Sequence, residues 1–211
     1  MIHLYGTSHV SEDSFNVVDE ALEEHDPEVV ALELDYPRLN SLMNDEDEAA
    51  GGLFPRLIRH FQQSIGSKTG VMPGDEMKYA FEASMEQERE VALVDQDIRV
   101  TMQRLKDVRR KEKVKAAFSI VLGFLGGERF DISSIPEDDV IDELVEELRQ
   151  EFPGIYRVLM EERNRYIVEA LQKVDEENEG DVVAFLGAAH VKPVRRMLDE
   201  VDSQGAVAAA E

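Results

Sequence analysis

Apolar residues gather in four short runs, and the spaces between them carry helical periodicity. The runs are Ile2–Tyr5, Val29–Asp35, Val91–Val94 and Val182–Leu186, the second apolar until its end. Continuous runs of this length read as strands of a parallel sheet covered on both faces. After the first run, Ser11 is placed to cap a helix with Asp13 in its first turn and Phe15, Val18 and Leu22 on one side. Asp26-Pro27 ends it.

A short helix from Pro37 through Met43 follows, then an acidic loop over Asn44–Gly52. Leu57, Ile58 and Phe61 predict a helix over Leu53–Ile65, and Gly66–Gly74 reads as a loop. Asp75 is placed to cap a helix reaching about Glu90. Ile98–Leu125 reads as one long or kinked helix carrying the basic run Arg109–Lys115. Glu137–Gln150 is amphipathic, with Val140, Ile141, Leu144, Val145 and Leu148 on one face. A further helix spans Phe152–Val174, entered at Pro153. The last helix has Pro193 in its first turn, where proline is tolerated, and runs to about Val201.

Strands alternating with helices predict an α/β fold with a mostly parallel central sheet and flanking helices. Residues 1–203 form one domain on this reading, with a helical insertion over about 98–175 as a cap or arm, and 204–211 as a flexible tail.

In an open parallel sheet, ligands bind beyond the carboxyl ends of the strands. Each predicted strand delivers an ionisable residue there. The first gives His9, with Thr7 and Ser8; the second gives Glu33 and Asp35; the third gives Asp95 and Asp97; the fourth gives His190. The first and last strands share a design, Gly6-Thr7-Ser8-His9 and Gly187-Ala188-Ala189-His190. Two imidazoles among carboxylates suit a divalent first-row metal such as Zn, Mn, Co or Fe. Glu33, at the end of a buried strand, is costly unless paired or ligating. Asp35, Asp95 and Asp97 have a second reading as helix caps. His3 reads as a packed residue, and His25 and His60 as surface residues.

Arg99 falls in the first turn of a helix, where a cation opposes the dipole and calls for a compensating anion. Arg163, Asn164 and Tyr166 lie on another helix, which on spacing alone reads as a solvated, salt-bridged face. Neither a Gly-rich nucleotide loop nor a Gly-x-Ser-x-Gly or His-Glu-x-x-His motif is present.

Composition narrows the function further. The 211 residues include 46 Asp+Glu against 23 Lys+Arg, a formal net charge of −23, which argues against binding nucleic acid or anionic lipid. Such a surface fits a halophilic protein, since charges at 1 M salt are screened within ~3 Å. No cysteine is present, so disulfides and thiolate chemistry are excluded. No secretion signal is visible, and the longest apolar stretch, Ala116–Leu125, is about half of the ~20 residues a membrane span needs. A soluble, cytoplasmic protein is expected. Ala116–Leu125 reads as core first and as a homodimer contact second.

Taken in order, these pieces resemble the TraB family, also called the TraB/PrgY or pheromone-shutdown family, related to the Tiki metalloproteases and more remotely to erythromycin esterase and ChaN-like proteins. The matching segments are Gly6-Thr7-Ser8-His9-Val10-Ser11, Val30–Asp35 with Arg38, Val94–Thr101, Glu162–Tyr166 and Gly187–Val191. The resemblance implies a metal-dependent hydrolase fold with the two Gly-x-x-His histidines and a glutamate at its centre. It also raises Arg99, Arg163 and Asn164 to site residues. Many relatives continue into a hydrophobic membrane region, whereas this sequence ends in a polar tail.

The expected function is a metal-dependent, peptidase-like hydrolase acting on a peptide or small-molecule substrate. His9, His190, Glu33 and Asp95 are the candidate metal ligands. Glu33, Arg99, Arg163 and Asn164 are the candidate catalytic residues, with Glu33 open as ligand or general base. The alternative is a protein that binds or sequesters peptides without turnover.

Overall fold

The computed structural model describes residues 1–7, 13–44, 74–126 and 138–208. Four parallel strands form one sheet: β1 (Ile2–Thr7), β2 (Val29–Leu32), β3 (Glu90–Leu93) and β4 (Val182–Gly187). Their order is β1-β4-β2-β3, so the last strand in sequence enters between the first two. Its register runs from Ile2↔Val182 to Thr7↔Gly187 on one side and from Val29↔Val182 to Leu32↔Phe185 on the other. All six residues of β4 and all four of β2 are buried, while the edge strand β3 is only partly covered. The most continuous apolar runs therefore occupy the centre, where neighbours and both faces remove them from water.

The helices around the sheet are α1 (Asp13–His25), α2 (Tyr36–Asn44), α3 (Asp75–Glu86), α4 (Ile98–Asp107), α5 (Arg110–Gly126) and α6 (Asp138–Glu151). Then follow α7 (Pro153–Tyr156), a π-helical turn (Arg157–Glu161), α8 (Glu162–Glu177) and α9 (Ala188–Ala208). Alternation along the strands sorts their side chains to two faces. Val29, Ala31, Val182, Ala184 and Leu186 pack with Ile167 and Leu171 of α8 and Val194 and Leu198 of α9. Val30, Leu32, Val183 and Phe185 pack with Val18 and Leu22 of α1 and Met77 and Ala80 of α3. The architecture is α/β with a parallel sheet covered on both faces.

Several boundaries differ from those read off the pattern. The stretch Ile98–Leu125 is not one helix: Val108 is extended, with φ −61° and ψ 143°, between α4 and α5. Val108 is 6 % exposed and joins Leu105, Ala116, Ile155 and Val158 in a small separate core. The chain breaks there because both helices bury against α7 and the π turn. At α3 the N-cap position is Gly74, with φ 104°, rather than Asp75; the Gly74 N–H donates to Glu76 Oε2 at 3.1 Å. Helix α9 starts at Ala188 rather than close to Pro193, so the proline lies inside the helix and leaves the Ala189 carbonyl without its usual donor. It also continues to Ala208, beyond the Val201 end expected from sequence. Ala116 is buried, while Phe118 is exposed. The readings over 45–73, including the Leu53–Ile65 helix and the Gly66–Pro73 part of the loop, lie outside the described residues. No described helix is long and apolar enough to cross a membrane.

Candidate functional site

The parallel arrangement puts the carboxyl ends of all four strands at one edge. β1 and β4 end as register partners, Thr7 opposite Gly187, so the chain leaves the sheet from adjacent positions at the two strands. His9 itself lies outside the described residues.

Glu33 follows the last residue of β2 and continues its alternation toward α8 and α9. It is 6 % exposed, and its N–H donates to the Phe185 carbonyl at 3.1 Å. Its Oε2 accepts the Gly187 N–H at 2.7 Å, and its Oε1 accepts from Arg163 Nη2 at 2.5 Å. Asp95 stands two residues beyond β3. Its Oδ1 accepts from the Gln96 N–H at 2.7 Å and from Arg163 Nε at 3.0 Å; its Oδ2 accepts from Arg163 Nη2 at 2.6 Å and from Arg38 Nη2. The guanidinium of Arg163 therefore binds Asp95 in bidentate fashion and reaches Glu33 as well. Burial opposes its charge, but attraction to Glu33 and hydrogen bonds to Asp95 outweigh burial and hold Arg163 protonated above its ordinary range.

His190 sits in the first turn of α9 and is 6 % exposed. Its Nδ1 donates to Asn164 Oδ1 at 2.5 Å, because the amide oxygen can only accept. The Nε2 lone pair is then directed at Arg163 Nη1, 3.3 Å away, with Glu33 Oε1 at 3.5 Å. Asn164 is 4 % exposed.

Arg163 and Asn164 on one helix and His190 on the next are positioned by the same device. Each continues an apolar stripe at helical spacing: Arg163–Ile167–Leu171, Asn164–Val168 and His190–Val194–Leu198. The stripe carries them onto the sheet, and at its carboxyl edge the apolar residues give way to polar ones. The expectation of a solvated face for Arg163 and Asn164 is therefore corrected. The outward face of α8 is the one bearing Tyr166, 44 % exposed, while Glu162 pairs with Arg157 at 3.3 Å. The sequence does carry the signal, as polar residues four positions before buried apolar ones. The π turn ends where α8 begins, and the Leu159 carbonyl within it accepts from Arg163 Nη1 at 3.4 Å.

Two further described residues join the cluster. Arg38 Nη2 donates to the Glu33 carbonyl at 3.2 Å as well as to Asp95. Asp35 accepts the Arg38 N–H at 2.7 Å and the Ile98 N–H at 2.5 Å, so one carboxylate serves the first turns of α2 and α4. Arg38 is visible in sequence only through the family resemblance. Among the described residues of the cluster, the carboxylates of Glu33, Asp35 and Asp95 face the guanidiniums of Arg38 and Arg163, one negative charge in excess.

Arg99 stands at the start of α4, largely exposed, with its guanidinium and its N–H both on the Asp97 carboxylate. Asp97 is the cap of α4, and those hydrogen bonds hold its carboxyl at about 2. The anion that Arg99 required in the first turn is thus its neighbour. Thr7 Oγ1, at the end of β1, is buried and has no hydrogen-bond partner among the described residues.

A divalent ion makes definite demands on these donors. His190 Nε2 and Glu33 Oε1, 3.5 Å apart, fit two positions of one ion, for which tetrahedral bonds of ~2.0–2.2 Å put ligand atoms roughly 3.3 Å apart. The Asn164 bond to Nδ1 is the kind that orients a ligating imidazole. Asp95 is turned to the guanidiniums instead. An ion between His190 and Glu33 requires Arg163 Nη1 and Nη2 to draw back toward Asp95.

A sequence profile of the TraB/PrgY/gumN family matches residues 1–209. The chain belongs to this family. It is 31 % identical over 222 residues to the uncharacterized protein MJ1365 of Methanocaldococcus jannaschii, covering 96 % of this chain and 54 % of that protein. It is 27 % identical over 195 residues to TraB domain-containing proteins of Bos taurus and of Homo sapiens, covering 82 % of this chain and 52 % of each. The chain thus spans about half the length of the relatives it matches.

Proposed function

We propose that this TraB-family chain is a metal-dependent hydrolase of peptide or related amide bonds. The observation that carries the reading is His190 Nε2, oriented through Nδ1 by Asn164 and facing Glu33 Oε1 at 3.5 Å. His190, Glu33 and His9 are the residues that would hold the ion. A bound divalent ion supplies a water whose pKa falls toward ~7.

The chain's own groups do the rest. Asn164 fixes the imidazole tautomer, and the Gly187 N–H fixes the Glu33 carboxylate. Asp95 holds Arg163 charged and in place, and the guanidinium would steady negative charge that develops on a carbonyl oxygen as it turns from Glu33. Arg99 would meet a substrate carboxylate by exchanging Asp97, which holds its exposed guanidinium, for the substrate. The acidic surface fits work in a salt-rich cytoplasm.

A second reading is favoured by the closed ion-pair network. Among the described residues Arg163 and Arg38 match the charge of Glu33 and Asp95, an arrangement compatible with a non-catalytic peptide-binding site. One experiment separates the two. Metal content is measured on purified protein, and hydrolysis of a peptide library is followed with and without chelator. Chelator-sensitive cleavage lost in the His9→Ala/His190→Ala protein supports the hydrolase. Undiminished cleavage by that variant overturns it, and tight peptide binding without turnover transfers support to the second reading.

A further inference from the structure

The amino-terminal edge of the sheet, opposite the cluster just described, brings together three side chains from three distant segments. His3 lies in β1, His25 closes α1, and Asp181 immediately precedes β4. One potential ligand atom from each lies within 4.8 Å of the other two, the only such group among the described residues. His3 Nε2 is buried, with no hydrogen-bond partner within 3.5 Å among the described residues, and Asp181 Oδ2 faces it at 3.6 Å. The other oxygen, Oδ1, is held by the Met1 amine at 3.3 Å. The His3 and His25 rings stack with centroids 3.7 Å apart and planes at 22°. The Tyr5 hydroxyl is 2.6 Å from His25 Nε2 and holds that ring in the stack.

We propose that His3, His25 and Asp181 form a second divalent-metal site, for a first-row ion such as Zn2+. Two imidazoles and one carboxylate are the donors such ions prefer; Mg2+ and Ca2+ favour all-oxygen shells. Ligand atoms of a tetrahedral ion stand roughly 3.3 Å apart at bonds of ~2.0–2.2 Å, close to the present His3–Asp181 separation. Coordination requires the stacked rings to splay so that both lone pairs meet at one point. His3 Nε2, held at 3.6 Å from Asp181 Oδ2, would gain a bond to the ion in the process.

The ion would tie the start of β1, the end of α1 and the connection into β4. These segments are far apart in sequence, and a chain without cysteine has no disulfide to join them. The site is a structural staple and does not rest on the hydrolase reading.

The test uses untagged protein, stripped with chelator and titrated with Zn2+ by calorimetry and with Co2+ by visible absorption. His25→Gln and Asp181→Asn are each expected to lose one equivalent of bound metal. His9→Ala/His190→Gln is expected to retain that equivalent. Added Zn2+ is expected to raise the Tm of the His9→Ala/His190→Gln protein, which lacks the first site, and to leave that Tm unmoved once Asp181→Asn is added to it. The Asp181 side chain is 42 % exposed, so this variant tests ligation with its fold intact. Unchanged stoichiometry in both His25→Gln and Asp181→Asn would overturn the proposal and leave a plain stacked histidine pair.

Discussion

His190 Nδ1 lies 2.5 Å from Asn164 Oδ1, and that contact decides which nitrogen of the imidazole is left to work. The proton must sit on Nδ1, so Nε2 presents its lone pair toward Arg163 and Glu33. Replacing Asn164 by alanine frees the tautomer and the ring angle. On the hydrolase reading, Asn164→Ala is expected to weaken metal affinity or kcat by about 10–100-fold. Nitrogen-15 NMR of the imidazole checks the cause: the parent protein should show the Nδ1–H form, and the variant a mixture. A variant with the parent spectrum and parent activity would remove Asn164 from the site.

Arg163 serves two buried carboxylates at once. Arg163→Met takes from Glu33 its guanidinium and leaves Asp95 with Arg38 alone, in an environment that water barely reaches. The expected loss is about 3–5 kcal/mol of stability, read from denaturant midpoints. Arg163→Lys should recover only part of it, because an ammonium cannot reproduce the two parallel bonds to Asp95.

Asp97 ties the cap of α4 to pH. Its carboxyl is lowered from 3.8 to about 2, first by the hydrogen bonds from the Arg99 side chain and backbone. A carboxyl depressed in the folded state stabilises above its unfolded value and loses that contribution as pH falls. The window is therefore from about 4 down to about 2. Carbon NMR should place the Asp97 midpoint near 2, and Arg99→Ala should move it back toward the ordinary carboxylate range.

The charge of −23 makes salt a direct test of the surface. If the acidic balance is an adaptation to high salt, molar KCl should raise Tm by screening repulsion that reaches only ~3 Å at that concentration. A Tm indifferent to KCl would reduce the charge to ordinary solubility.

The cluster is partly legible in the amino-acid pattern. Glu33 and His190 end apolar runs, and a charged or polar group there is conspicuous because the residues ahead of it are buried. Arg163 and Asn164 are harder to read. Their neighbours Glu162, Arg165 and Tyr166 do face water or its edge, and spacing alone does not say which side of a mixed helix turns inward. Only their position one turn ahead of Ile167 and Val168 marks the buried side. Asp95 is legible as an edge residue, but its capture by Arg163 and Arg38 is not, since those partners lie 68 and 57 residues away.

What the chain determines locally is its strands, most of its helices and the α/β class, because burial period and backbone preference act over a few residues. The break at Val108 escapes that logic: a core residue of a small helical cluster overrides a continuous helical pattern. Tertiary structure alone decides the strand order. β4, made last, enters between β1 and β2 because its uninterrupted apolar run buries most surface with a neighbour on each side. That placement sets Thr7 beside Gly187 at one edge and His3 beside Asp181 at the other, and contacts between such remote segments follow from packing, not from spacing along the sequence.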